Sequence, residues 1–520
     1  MLRAAALSVL LITPAAATAA PWLPPSALAP PARGSGPPAV AGNDDGRAVA
    51  AWSTREGVVA TLRTPGGPWY SPVRVPGSGR GATDVAVAMT SDGLAAVAWI
   101  EDGRVRASIR PARKRFLPAT WVSPPGRLAV SPRLAFGLGC GPLLAWQSDE
   151  RGSNAIRAAC GRGDGRFGAL ARVSPEGEQA STPAVAGGPT GVIVLWRQDD
   201  GGTYRVRSAT RGPVGGFSAP DTPSPSGTAV IVEPSVALAR DGAAIAAWSI
   251  TRGDSVVVQS AVRPVTGGWT PPDDLSRPAP QARGARVGVD GAGNAVAAWS
   301  RAGVVQVAER PVGQPWTPAR DLSEGGVTAG SPSVGVSGSG AAVVAWPAVV
   351  GGTAVTQASL RPAGGAFTAS TTISDPGRPA IAPQATVSDD GVAPVAWQWT
   401  DPAQDPTFAP SGVMTATGVA GGTATGAALV VDLRARPSRV RPGQPIRITF
   451  GLSQASRVRI TARRDGSRLV VGSIVTSGVD GANLLVLSGS LGGASLGRGR
   501  WIISAQPAGG TARSLSLVVV

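Results

Sequence analysis

The chain lacks histidine altogether and is poor in cysteine and tyrosine. Its 520 residues include two cysteines and two tyrosines, with 48 Lys and Arg against 32 Asp and Glu. Without histidine, no Ser-His-Asp or Cys-His nucleophile system can form, nor a histidine-ligated zinc, haem or non-haem iron site. Two cysteines are too few for a four-thiolate metal or iron–sulfur centre. Any catalysis must therefore come from carboxylates, tyrosine or arginine, and we expect no cofactor and no bound metal.

Long apolar runs are also scarce, and the one near the N-terminus is short. It follows a positively charged start, ends at Ile12 and is followed by the small-residue motif Ala17-Thr18-Ala19. This pattern is typical of a secretory signal peptide, which we predict over residues 1–19. Pro14 and the short run weigh against an uncleaved anchor helix. We therefore expect a secreted protein, extracellular or associated with the cell surface, without a transmembrane anchor.

A tryptophan at the end of an apolar run recurs through most of the chain, at spacings of 47 to 52 residues. The eight tryptophans are Trp52, Trp99, Trp146, Trp196, Trp248, Trp299, Trp346 and Trp397. A short alternating segment and a tight turn, often Asp-Gly, precede each one. A polar loop, a third run and a segment that begins with an aromatic follow it. Their strict repetition favours packing between neighbouring units over a sugar-stacking array.

These runs of five to seven residues, bounded by Gly, Pro or Asp, indicate β-strands joined by hairpins. Four antiparallel strands in a repeat of about 50 residues are typical of a β-propeller blade. We predict an all-β fold with an eight-bladed β-propeller over residues 20–418, and seven blades as the alternative. The last unit lacks its aromatic fourth strand, and residues 21–28 resemble residues 315–322. We therefore expect an N-terminal strand to complete the last blade and close the ring.

The turns between the third and fourth strands carry a family resemblance. Three of them read Gly66-Gly67-Pro68-Trp69, Thr266-Gly267-Gly268-Trp269 and Gly364-Gly365-Ala366-Phe367. They resemble the Asp-box turn, Ser-x-Asp-x-Gly-x-x-Trp, of bacterial sialidase-like or BNR-type propellers, with the glycines and aromatic present and the Ser and Asp missing. The resemblance implies the propeller fold and raises a sialidase-like activity as one alternative. A sialidase also needs an arginine cluster and a tyrosine nucleophile, and only Tyr204 lies near the candidate face.

The repeat stops at a Gly/Thr-rich stretch, which we interpret as a linker over residues 419–427. Residues 428–520 contain short strand-like runs that suit a small β-sandwich. Within them, residues 441–453 resemble the Ig-like end modules of secreted bacterial proteins, although the Ig cysteines are absent. Residues 427–520 hold 13 Arg against 3 Asp, a net charge of +10. Such a surface can adhere to an anionic cell-surface polymer, an acidic glycan or lipid headgroups, or simply be solvated. We expect no nucleic-acid binding.

Cys140 and Cys160 are expected on the second and third strands of the third unit. Pairing these strands about a turn near residue 151 sets Trp146 roughly opposite Ile156 and brings the cysteines together. In an exported chain this favours a disulfide. Two buried thiols are the alternative.

The loop after each repeated tryptophan varies while the scaffold repeats, and variable loops on a rigid scaffold are where binding sites are usually built. We take the carboxylates of these loops as candidate ligand contacts: Glu101, Asp102, Asp149, Glu150, Asp199, Asp200, Asp254 and Asp401. Three interpretations of these acids are open: solvated turn residues without a further role, contacts for a partner, or the carboxylates of a glycoside hydrolase. Our first hypothesis is a monomeric, non-enzymatic propeller that binds an extracellular protein or glycan, and we assign no catalytic residue. A carbohydrate-active hydrolase is the alternative.

Overall fold

The computed structural model describes residues 22–29, 32–33, 35–150, 152–224, 234–375, 377–401, 410–420, 428–479 and 481–520. Every regular element in these ranges is a β-strand, so the all-β prediction is confirmed. None of the described residues belongs to a helix that could span a membrane. The predicted signal peptide, 1–19, lies outside the described residues, as does most of the predicted linker.

The strands before residue 420 form roughly eight small antiparallel sheets, most of them four-stranded, consistent with a β-propeller. Two short N-terminal strands, β1 (Ser26–Ala27) and β2 (Ala32–Arg33), belong to sheet VIII. Sheet I contains β3 (Ala39–Gly42), β4 (Ala48–Thr54), β5 (Gly57–Arg63) and β6 (Val73–Arg74). Sheet II contains β7 (Thr83–Met89), β8 (Ala95–Glu101), β9 (Arg104–Arg110) and β10 (Thr120–Trp121). Sheet III contains β11 (Ala129–Gly137), β12 (Gly141–Asp149), β13 (Asn154–Cys160) and β14 (Ala171–Arg172).

The remaining sheets of the repeat follow the same plan. Sheet IV contains β15 (Gln179–Gly188), β16 (Gly191–Asp199) and β17 (Tyr204–Arg211). Sheet V contains β18 (Ser235–Leu238), β19 (Ala244–Arg252), β20 (Ser255–Arg263) and β21 (Asp273–Asp274), and sheet VI contains β22 (Ala282–Val289), β23 (Ala295–Arg301), β24 (Val304–Arg310) and β25 (Arg320–Asp321). Sheet VII contains β26 (Thr328–Ala329), β27 (Ser333–Val336), β28 (Ala342–Val350), β29 (Thr353–Arg361) and β30 (Thr371–Thr372). Sheet VIII adds β31 (Ala380–Ala385), β32 (Val392–Thr400) and β33 (Pro410–Val419) to β1 and β2.

The repeated tryptophans lie on the second long strand of each sheet and are at most 1% exposed. Each packs in a hydrophobic cluster that joins its own sheet to the preceding one. Trp99 of sheet II packs with Val49 and Val58 of sheet I, and Trp397 of sheet VIII packs with Leu360 of sheet VII. Packing between neighbouring sheets is therefore confirmed as the role of these indoles.

The first long strand of five sheets contains a bulge that the sequence analysis missed. One residue in each bulge has a positive φ: Asp84 (49°), Ser131 (53°), Thr182 (50°), Gly284 (66°) and Ala382 (50°). The pairing register shifts at the same points. Three of these residues precede a proline, which is tolerated inside a sheet only at edges and bulges. A proline near the start of a predicted strand was thus the available signal.

The N-terminal segment lies beside the third long strand of sheet VIII. Ser26 pairs with Thr415 and Ala27 with Met414, both antiparallel, and the Leu28 N–H donates to the Val413 carbonyl at 2.9 Å. The segment thus occupies the position that the sequence analysis assigned to it in the last unit.

Cys140 and Cys160 form the predicted disulfide, with Cα atoms 4.9 Å apart. The register is close to the predicted one, since Trp146 pairs with Arg157, one residue beyond Ile156. One detail of the prediction was wrong. Cys140 lies in the turn before β12 and not on that strand. The bridge therefore joins a turn to the end of β13.

Residues after 428 form two larger sheets and a short hairpin around one core. Their strands are β34 (Val430–Arg436), β35 (Arg439–Val440), β36 (Ile446–Leu452), β37 (Ser456–Arg464), β38 (Val470–Gly478), β39 (Gly481–Leu487), β40 (Ser490–Leu491), β41 (Ala494–Ser495), β42 (Gly499–Pro507) and β43 (Arg513–Val519). The sheet orders are β34-β36-β39 and β35-β43-β42-β37-β38. One hydrophobic cluster, which includes Ile448, Ile460 and Trp501, contains residues of both sheets. We call this part the C-terminal module.

The bulge at Gly284 is the one of the five that contains a glycine at its positive-φ position. A Cβ atom there would lie 2.3 Å from the Ser331 Cβ, in the segment between β26 and β27 of sheet VII. We expect Gly284→Ala to lower the free energy of unfolding by about 2–5 kcal/mol, because alanine is strained in the left-handed conformation and its Cβ would overpack against the neighbouring segment. The matched control is Gly326→Ala, which also has a positive φ, 84°, but no atom within 4 Å of its Cβ, and should lose only about 1–2 kcal/mol. Equal losses in urea denaturation would show that the two sheets do not pack closely here.

Candidate functional site

In the part of the chain that the structure describes, the loops between the second and third long strands of sheets I to VII, together with Asp401 after β32, lie at the rim opposite the Asp-Gly turns. We call this rim the loop face. Glu101 is the last residue of β8, and Asp102 follows it in the turn with a φ of 51°. Asp149 ends β12 and Asp199 ends β16, each followed by the next candidate acid. Asp254 lies in the exposed turn between β19 and β20, and Asp401 follows β32. All eight candidates are therefore on this rim.

Glu101 is 5% exposed and is held by three donors. The Trp99 indole N–H donates to its carboxylate at 2.9 Å, the Gly79 N–H at 2.8 Å and the Arg106 guanidinium at 2.7 Å. Burial alone would raise the pKa of Glu101, but these hydrogen bonds and the charge of Arg106 outweigh it and keep the pKa below its usual value. The carboxylate thus positions the indole and the neighbouring loop.

Glu150 is a half-buried acid of the loop face, and three arginines surround it. It forms ion pairs with Arg157, Arg172 and, at 3.1 Å, Arg127. Burial again acts to raise the pKa of Glu150, but the hydrogen bond from Arg157 and the three positive charges lower it overall. The arginines come from β13, from β14 and from the loop before β11, so this carboxylate ties three segments together.

The exposed acids of the loop face mostly shape their own turns. Asp149 Oδ1 accepts the Gly152 N–H at 3.2 Å, and Asp199 Oδ1 accepts the Gly202 N–H at 2.7 Å. Asp200 forms an ion pair with Arg205 at 2.6 Å. Such contacts are typical of aspartate in tight turns. Among the described residues, no three Asp, Glu or Cys side chains come together in a way that could hold a metal ion.

Arginine stacked on aromatic rings is the feature of this face that sequence reasoning missed. The guanidinium carbons of Arg104 and Arg106 lie 4.2 and 4.5 Å from the ring centroid of Trp121, which is 40% exposed. Arg197 lies 4.9 Å from the ring of Tyr204. The available signal was period-two alternation, because Arg104 and Arg106 point to the same side of β9. Among the described residues, Arg197 is the arginine that stacks on the Tyr204 ring.

No model of a known protein family matches the chain, and no curated protein is significantly similar to it. Solved structures show a distant similarity. The polysaccharide lyase Uly1 has a TM-score of 0.44, with 11% identity over 67% of this chain and 91% of that one. The six-bladed propeller lectin of Aleuria aurantia has a TM-score of 0.34, with 12% identity over 56% and 97%. The NanB sialidase of Streptococcus pneumoniae has a TM-score of 0.32, with 11% identity over 75% and 68%. The similarity concerns the propeller architecture and assigns no ligand.

The lowered pKa of Glu150 makes its contribution to stability dependent on pH. We expect Glu150→Gln to cost about 3 kcal/mol at pH 7, because three arginines lose their carboxylate. The folded pKa lies below the unfolded one, so the wild-type advantage is complete above the unfolded pKa of about 4.3 and is lost as the pH falls through the folded pKa. The difference between the two proteins should therefore shrink below about pH 4.

Glu176→Gln is the matched control, since Glu176 is exposed in the loop after β14 and its change should stay within about 0.5 kcal/mol. Urea denaturation from pH 3 to pH 7 measures both. A Glu150→Gln deficit that is constant over this range would contradict an ionised Glu150 in the folded protein.

Proposed function

We propose that sheets I to VIII form a closed eight-bladed propeller. Each first long strand contacts the equivalent strand of the next sheet, and β31 contacts β3. Trp52 of sheet I packs with Leu28, Ala396 and Val413 of the last sheet and its N-terminal strand. This cluster repeats the contact that every other tryptophan makes with the preceding sheet, which supports eight blades over seven. In a closed ring no sheet edge is left at the junction.

We further propose that this is a non-enzymatic binding protein whose loop face contacts an extracellular protein or glycan. The observation that carries the proposal is that the buried Glu101 and the half-buried Glu150 of that face are held in arginine ion pairs with lowered pKa values. A glycoside hydrolase needs a carboxylic acid whose pKa is raised enough to donate a proton near neutral pH. Glu101 and Glu150 have the opposite shift, so the hydrolase alternative is not favoured.

Export is part of the same proposal. The signal-peptide pattern of residues 1–19 and the Cys140–Cys160 bridge both suit an oxidising, extracellular compartment. The module's net charge of +10 over residues 427–520 suits attachment to an anionic polymer at the cell surface. The propeller then presents the loop face away from that attachment.

A glycan array and a fluorogenic glycoside panel test the binding proposal. Asp254→Arg reverses an exposed charge on the loop face and should weaken binding of the array's best ligand at least tenfold. Asp241→Arg is the matched control, because Asp241 is exposed on the same sheet V at the Asp-Gly rim, and its binding should be unchanged. Equal effects would place the ligand elsewhere. Glycoside hydrolysis that Glu101→Gln abolishes would overturn the non-enzymatic assignment.

Removing the N-terminal strand tests ring closure. We expect deletion of residues 20–29 from a chain that starts at residue 20 to lower the melting temperature by 10 °C or more. The physical reason is the exposure of the Leu28 cluster and an unpaired β33 edge, and one buried leucine side chain alone is worth about 1.5–3 kcal/mol. Leu28→Ala should reproduce part of the loss. Leu138→Ala, at a side chain that is 55% exposed, serves as its control. An unchanged thermal transition after the deletion would exclude closure by this strand.

A further inference from the structure

A cleft of about 640 Å³ lies between the first blade sheet and the C-terminal module. One wall is the turn from Thr64 to Tyr70, between β5 and β6, and the other is formed by residues 433–436, Ser438 and residues 513–516. We call it the seam cleft. It lies at the Asp-Gly rim, opposite the loop face, so none of the candidate acids lines it.

The walls of the seam cleft are held in place by specific contacts. The Asp432 N–H donates to the Gly66 carbonyl at 2.9 Å, and the Asp432 carboxylate pairs with the buried Arg63 at 3.1 Å. Arg513, also on the module side of the cleft, pairs with Asp390 of sheet VIII at 2.6 Å. Leu23, Val419 and Val431 add an apolar contact between propeller and module. These contacts tie the walls of the cleft to both the propeller sheets and the module.

Aromatic rings and guanidinium groups line the cleft together. Trp69 and Tyr70 contribute the rings, and the Tyr70 side chain is 55% exposed. Arg434 and Arg436 line the facing wall and have no carboxylate partner among the described residues. The serine hydroxyls of the cleft are those of Ser438, Ser514 and Ser516.

A second depression of about 250 Å³ shares Thr64 and Tyr70 with the seam cleft. Arg47, Arg110 and Arg113 line it, with Asp92 as its one acid. Tyr70 consequently stands between two arginine-lined depressions. A ligand that follows this path meets positive charge on both sides of an exposed ring.

We propose that the seam cleft binds a linear anionic glycan across Tyr70. A sugar ring has an apolar face that stacks on an aromatic ring, while guanidinium groups bind carboxylate or sulfate in a bidentate geometry. The serine hydroxyls suit sugar hydroxyls as hydrogen-bond partners. Single-stranded nucleic acid is favoured less, because it needs successive aromatic platforms along a groove, and here both rings belong to one turn. The inference deepens the proposed attachment of the module and is independent of ligand binding at the loop face.

Titration calorimetry with the full chain tests the site with four probes: a galacturonate hexamer, a chondroitin sulfate hexamer, a neutral maltohexaose and a dodecamer of thymidylate. We expect at least one acidic hexamer to bind and the neutral one to bind at least tenfold more weakly. The preferred acidic hexamer tells whether carboxylate or sulfate is the natural anion. Stronger binding of thymidylate than of either acidic hexamer would overturn the proposal in favour of nucleic acid.

Two variants and one matched control locate the binding. Tyr70→Ala and the double variant Arg434→Gln/Arg436→Gln should each weaken binding of the acidic hexamer at least tenfold. The matched control, Arg457→Gln/Arg459→Gln, removes the same charge from exposed positions of β37 in the same module. It should weaken binding of the acidic hexamer less than threefold. Equal losses would mean diffuse electrostatic attraction and overturn the site, as would no binding of either acidic hexamer. Unchanged melting temperatures confirm folding, and Asp254→Arg, which tests the loop face, should leave this binding intact.

Discussion

The burial of one tryptophan between each pair of neighbouring sheets is the interaction on which the rest of this structure depends. A small sheet of three or four short strands cannot bury either face alone, and two isolated strands are at best marginally stable in water. Each indole fills the space between two sheets, and its cluster contains alanine and valine from the preceding sheet. Stability is therefore shared between neighbours, as in other repeat proteins. The loops beyond the tryptophan differ between units, and where an acid such as Glu101 or Glu150 occurs there, it holds the neighbouring segments in place.

The same constraint explains why the sequence was informative about the scaffold. Apolar alternation, the repeated tryptophan and Asp-Gly turns are local signals, and Gly93 and Gly391 have the positive φ that such turns require. The bulges are different, because Gly284 is set by the approach of a neighbouring segment as well as by its own strand. The position of Cys140 in a turn follows from where the β11–β12 hairpin ends, with Gly137 paired to Gly141. Apart from the repeated tryptophan, contacts between units have little local signature.

In the candidate site, too, local features could be predicted and contacts between segments could not. The sequence placed eight acids on one rim, but it did not show which groups each of them contacts. Glu101 is two residues after Trp99 on one strand, so both side chains point to the same face, and this spacing was a readable sign that the acid serves the indole. Gln198 has the same relation to Trp196, with a hydrogen bond of 2.9 Å. The arginines around Glu150 come from three segments, and no local pattern could have assembled them.

The proposed closed ring has one junction that is unlike the others, and the module lies across it. Elsewhere the two-residue outer strand of a sheet follows its third long strand in the chain, whereas in sheet VIII the outer strands β1 and β2 come from the N-terminus, far from β33 in sequence. The module bridges this junction through Arg63 of sheet I and Asp390 of sheet VIII. Any ligand that prefers the assembled seam cleft must stabilise the junction by its binding free energy. Attachment and ring stability are then thermodynamically coupled, because one set of contacts shapes the cleft and braces the ring.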